Sequence, residues 1–153
     1  GVNNQGSGDM YAKGANMIHT IRTIMQNDSL FKKMLRDLNS TYYHKTVTTK
    51  EIETFISKYA GLDCSNIFDQ YLRSNQIPQL DWKIENGNVS VRFNNCNKSF
   101  SMPVYLPQAP ATGVWKKVNA NNWTSVSTKL SADEMGSQWN KNLYLIYPQL
   151  EAD

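Results

Sequence analysis

The chain has 153 residues, the size of one ordinary domain or of two small ones, and 40% of them are hydrophobic, so it can form a core. The formal net charge is only +3, and lysine and arginine do not cluster along one face, which excludes a nucleic-acid-binding surface. No apolar run approaches the ~20 residues that cross a membrane as a helix.

The first half of the chain has the period of amphipathic helices. A first helix carries apolar residues three and four positions apart, which places them on one face: Met17, Ile18, Ile21, Ile24 and Met25. Three more helices follow, with short connections between them. Their apolar faces are formed by Leu30, Phe31, Met34, Leu35 and Leu38, by Ile52, Phe55, Ile56 and Tyr59, and by Ile67, Phe68, Tyr71 and Leu72.

Local signals predict where these helices begin and end. Asp28 is a candidate cap for the second helix, and Thr48 with Glu51 forms a capping box for the third. Gly61 follows the third helix, at the position where a left-handed residue is needed. Either Asp63 or Ser65 can start the fourth.

Beyond Pro78 the hydrophobic period changes from that of a helix to that of a strand. The strongest signal is Asn86-Gly87, a two-residue hairpin turn between two alternating segments. Strands are predicted at Leu80–Ile84, Val89–Phe93, Ser101–Leu106, Val114–Val118, Trp123–Val126 and Leu143–Tyr147. The sequence therefore predicts an α+β fold, with a helical unit over residues 1–77 and a small antiparallel β-sandwich over residues 78–153.

The candidate for chemistry is Tyr11, in the segment Tyr11-Ala12-Lys13-Gly14 at the start of the first helix. A neutral phenol close to a developing oxyanion can donate a hydrogen bond to it, and glycine lets a substrate or backbone approach. The alternative is structural: Tyr11 packs the first helical turn, and Gly14 permits a helix crossing. The pattern is short, so both interpretations stay open on the motif alone.

This segment resembles the Y-x-K-G segment of the zinc aminopeptidases of the aminopeptidase N and leukotriene hydrolase type, in which the tyrosine helps to stabilise the tetrahedral intermediate of peptide hydrolysis. The resemblance covers roughly residues 9 to 82 and looks most like bacterial short forms, in which a β-sandwich follows the thermolysin-like catalytic lobe. Further matching residues, in family order, are Asp28, Phe31, Leu35, Tyr42-Tyr43, Thr48-Thr49, Ala60-Gly61-Leu62-Asp63, Phe68-Asp69-Gln70-Tyr71-Leu72 and Pro78.

The resemblance implies a C-terminal portion of such an enzyme, separated from its zinc site and inactive alone. The family's zinc ligands and general base belong upstream, and only Tyr11 transfers as a catalytic position. His19 and His44 are the two histidines here, and neither belongs to an H-E-x-x-H. We therefore expect no metal or other cofactor in this chain. Zinc, a peptide substrate and the N-terminal catalytic lobe are expected for the full-length parent.

The rival hypothesis is a non-catalytic module in which a helical bundle and a sandwich bind a peptide or a protein. If the catalytic lobe is missing, an apolar surface should be exposed at Met17, Ile21 and Met25 and at Tyr42-Tyr43, and the fragment should self-associate. Cys64 and Cys96 could form a disulfide, but we expect two buried or partly buried thiols. No signal peptide is visible, so the location is unassigned, with export to the bacterial periplasm as a working expectation.

Overall fold

The computed structural model describes residues 8–139 and 144–151. These residues form an α+β fold, as predicted. The helices in this part of the chain are α1 (Asp9–Met25), α2 (Asp28–Thr41), α3 (Thr49–Ala60), α4 (Ser65–Arg73) and α5 (Ala132–Gln138). The strands are β1 (Gln79–Glu85), β2 (Asn88–Asn94), β3 (Ser101–Ala109), β4 (Thr112–Asn119), β5 (Thr124–Ser127) and β6 (Tyr147–Leu150).

The helix termini follow local side-chain chemistry. Thr48 and Glu51 form the predicted capping box of α3, and Gly61 ends that helix in the left-handed region at φ 63°. The prediction that Asp28 caps α2 is wrong, because the Asn27 side chain accepts the hydrogen bond from the backbone of Leu30. Asp28 is the first residue of the helix instead, and its carboxylate pairs with Arg22.

The β-strands form two sheets. One has the order β5-β2-β1-β6 and the other is the β3-β4 hairpin. Asn86 and Gly87 both have positive φ, 50° and 72°, at the tip of the β1-β2 hairpin, as the sequence predicts. The β6 strand differs from the prediction in two ways. It pairs with β1 in parallel, and it begins at Tyr147, where the predicted strand was to end; Leu143 lies outside the described residues.

Helix α5 lies in the half of the chain for which only strands were predicted. Ser131 accepts a hydrogen bond from the backbone of Glu134, and the Glu134 carboxylate accepts one from the backbone of Ser131. This capping box is visible in the sequence as Ser131-Ala132-Asp133-Glu134 and is followed by Met135, which is fully buried.

The buried apolar side chains form one cluster that continues from the helices into the sheets. Phe100 links the two parts, because its ring contacts both Tyr71 of α4 and Phe93 of β2, with centroid distances of 6.0 and 4.8 Å. The prediction that Met17 and Ile21 are exposed is wrong, since they are only 5% and 1% exposed in this cluster. They pack inward because the rest of this chain already covers that face of α1.

Candidate functional site

Tyr11 lies in the first turn of α1, where its backbone N–H donates to the carbonyl of Gly8. Its side chain is 66% exposed. The structural alternative, in which Tyr11 packs the first helical turn, therefore receives no support from its burial. Among the described residues, most of the Tyr11 side chain at the start of α1 is therefore uncovered.

Lys13 has a partner within the chain. Its ammonium group donates to the backbone carbonyl of Ser74, with an Nζ to O distance of 2.5 Å. Ser74 is the C-cap that follows α4, so the positive charge lies at the negative end of that helix. The lysine of the Y-x-K-G segment therefore ties α1 to α4.

Gly14 lines a groove of about 290 Å³ together with Lys13, Met17, Tyr71 and Leu72. A Cβ atom added at Gly14 would meet nothing within 4 Å. No helix in the described residues therefore crosses α1 so closely that glycine is required there. The space beside Gly14 is open, and Leu72 on its wall is 48% exposed.

A second groove, of about 430 Å³, lies along α1 between the helix, the turn after α4 and the segment before β6. Tyr147, 59% exposed, is the large aromatic side chain on its wall. The lining residues are Ala12, Lys13, Asn16, Asn75, Ile77, Leu145 and Tyr147.

Between α1, α4 and the segment before β6 lies a buried polar cluster that the sequence analysis did not identify. The backbone N–H of Leu145 donates to the Thr20 hydroxyl at 2.9 Å, and the Leu145 carbonyl accepts from the Tyr71 hydroxyl at 2.7 Å. We call these two bonds the Leu145 clamp. Thr20 and Tyr71 are 0% and 3% exposed, and burial raises the pKa of Tyr71, so its phenol stays protonated and donates. The sequence signal for this cluster is Thr20, a polar residue on the otherwise apolar face of α1.

The two histidines lie in different elements. His19 is half-buried on α1, and His44 is exposed in the turn after α2, where its ring lies 4.1 Å from that of Tyr43. Over residues 8–139 and 144–151, no group of three or more histidine, cysteine, aspartate or glutamate residues is arranged to hold a metal ion. Tyr43 is 68% exposed, as predicted, whereas Tyr42 and Met25 are half-buried.

Both cysteines are free thiols, as expected: Cys64 is buried and Cys96 partly buried. Burial raises the pKa of each to about 11, so both remain protonated at neutral pH. In the described part of the chain, no helix has the length and apolar character needed to cross a membrane.

Comparison with known proteins gives a fold and no family. No protein-family model matches the sequence, and no curated protein matches it. Among solved structures, the chain is similar to Legionella pneumophila aminopeptidase A, solved in complex with aspartic acid. The likeness covers 90% of this chain with a TM-score of 0.57 and 11% identity. This chain spans 17% of the length of that protein. The described residues thus have a fold that also occurs as part of an aminopeptidase.

Proposed function

We propose that this chain is the C-terminal portion of a zinc-dependent aminopeptidase, in which Tyr11 donates a hydrogen bond to the tetrahedral intermediate of peptide hydrolysis. The observation that carries the proposal is the exposed Tyr11 phenol at the start of α1, in a Y-x-K-G segment. The shared fold with part of a Legionella aminopeptidase supports it.

The described residues of this chain do not fit a zinc site, because they bring no three potential ligands together. In the proposal, the zinc ligands and the general base belong to a preceding lobe of a longer protein. What this chain supplies is one donor. A phenol is neutral near pH 7, and a donor placed about 3 Å from the developing oxyanion stabilises it more than it stabilises the substrate carbonyl.

The first test is the reading frame that encodes this chain. The proposal requires an upstream H-E-x-x-H followed by a further glutamate. A reading frame without this set would refute the proposal and leave the non-catalytic binding module as the explanation of the fold.

The second test is steady-state kinetics of the full-length protein on an aminoacyl reporter substrate. Tyr11→Phe removes the hydroxyl and keeps the ring, so we expect kcat to fall by roughly 10²-fold with little change in KM, as for the loss of one oxyanion donor. Tyr43→Phe is the matched control, since Tyr43 is also exposed but follows α2. An unchanged kcat for Tyr11→Phe would remove Tyr11 from the chemistry.

A further inference from the structure

Two polar anchors hold α1 on one side of the helix, in addition to its buried apolar side chains. Lys13 donates to the carbonyl of Ser74, and Thr20 accepts from the backbone of Leu145. The two anchors are seven residues apart, which is two helical turns and about 10 Å along the axis. Two fixed points on one strip of a helix restrain both its tilt and its rotation.

The second anchor is itself held from two sides. Leu145 is bonded through its N–H to Thr20 and through its carbonyl to Tyr71, so both polar groups of one peptide segment are satisfied by buried side chains. The Thr20 hydroxyl donates its own hydrogen to the carbonyl of Asn16 at 2.9 Å. Because the Thr20 hydrogen is used in this bond, its oxygen acts as the acceptor for the N–H of Leu145. The direction of both hydrogen bonds of Thr20 is therefore defined.

From this arrangement we infer that Thr20 and Tyr71 are positioning residues, which set the direction of the Tyr11 side chain through the Leu145 clamp. The inference rests on the proposed function of Tyr11. At 100° per residue, Tyr11 lies about 160° around the helix from Lys13, so the anchored side faces the chain and Tyr11 faces outward.

The expected effect follows from the geometry of a helix. Side chains extend about 5–6 Å from the axis, so a rotation of α1 by about 10° moves a side-chain tip by about 1 Å. A displacement of that size at a reacting centre can lower the rate about 10²-fold. Loosening the clamp should therefore act on kcat through Tyr11, although Thr20 lies nine residues further along the helix.

The test uses the full-length protein with Thr20→Val and Tyr71→Phe, which remove the acceptor and the donor of the clamp with little change in shape. We expect each to lower kcat by about tenfold or more, with KM little changed. Thr20→Ser keeps the hydroxyl and should restore kcat. The control is Thr23→Val, because the Thr23 hydroxyl bonds only to His19 of its own helix among the described residues.

A double-mutant cycle with Tyr11→Phe separates positioning from general destabilisation. If the clamp acts through Tyr11, Thr20→Val combined with Tyr11→Phe should be no slower than Tyr11→Phe alone. Multiplying losses would overturn the inference, as would an unchanged kcat in both clamp variants. If melting curves show that Thr20→Val does not fold, Tyr71→Phe carries the same cycle. An effect of Tyr11→Phe without any effect of the clamp refutes only the inference, whereas no effect of Tyr11→Phe refutes the proposed function as well.

Discussion

Truncation of Phe100 tests whether the helical half and the β half unfold as one unit. Phe100 is 1% exposed and precedes β3. Its ring lies between Tyr71 of α4 and Phe93 of β2, so Phe100→Ala opens a cavity at the contact between the two halves. Because both halves contact Phe100, the predicted boundary after residue 77 does not say whether they unfold together or separately.

The magnitude follows from the burial of the ring. A fully buried Phe→Ala change lowers the free energy of unfolding by about 3–5 kcal/mol. The protein loses the transfer free energy of the removed ring atoms and also retains an unfilled cavity. Domains of this size have a total of about 5–15 kcal/mol, so the variant should stay folded but lose a large fraction of its stability. At about 2–4 °C per kcal/mol, the melting temperature should fall by roughly 6–20 °C.

The chain provides separate probes for the two halves. Its four tryptophans lie between residues 82 and 139, whereas α1 to α4 end at Arg73. Tryptophan fluorescence therefore follows the β half, and circular dichroism at 222 nm follows mainly the helical half. We expect both transitions to coincide and to shift together in Phe100→Ala. A fluorescence transition that moves while the helical transition stays would show two independent domains. Tyr43→Ala, at an exposed site, should change the free energy by no more than about 0.5 kcal/mol.

Two further predictions concern a close contact and a titratable group. Gly113→Ala should destabilise the β3-β4 hairpin by about 1–3 kcal/mol in chemical denaturation, because its Cβ would clash with the backbone carbonyl oxygen of Leu106 and lie 2.8 Å from the Tyr105 ring. Gly136→Ala, whose Cβ meets nothing within 4 Å in α5, should be neutral or stabilising, and equal effects of the two substitutions would contradict the clash at Gly113. Burial raises the pKa of Cys64 from 9.0 to about 11, so the folded state holds this proton more tightly and the stability due to Cys64 is present below about pH 9 and lost towards pH 11. Unfolding free energies between pH 8 and 11 should therefore fall less steeply for Cys64→Ala than for the wild-type chain, and identical slopes would show that burial does not hold the proton.

The parts of the fold that depend on near neighbours in the chain were predictable. The capping box of Thr48 and Glu51 and the turn at Asn86-Gly87 each involve residues no more than three positions apart, and both occur as predicted. The capping box of α5 has the same kind of signal at Ser131, but the surrounding strand pattern concealed it. These features can be predicted because the interacting residues stay close to each other in sequence, whatever the rest of the chain does.

Features that depend on distant partners were not predictable. Thr20 and Leu145 are 125 positions apart, and nothing in either segment identifies the other. The segment at Leu145 has the pattern of a strand, yet its backbone groups bond to Thr20 and Tyr71, so the strand starts only at Tyr147. The burial of Met17 was missed for the same reason: its partners come from elsewhere in this chain and not from an absent one.

The Y-x-K-G segment shows why a motif needs the geometry of its helix before roles are assigned. Tyr11 and Lys13 are two residues apart, so in α1 they point to nearly opposite sides and cannot both contact one site. Lys13 is committed to the carbonyl at the end of α4, and Gly14 borders open space. A role for Lys13 in chemistry would require its bond to Ser74 to break and α1 to turn, which would also pull Thr20 away from Leu145. The arrangement therefore divides the segment into an exposed tyrosine, to which the proposed function assigns the oxyanion, and a lysine that ties α1 to α4.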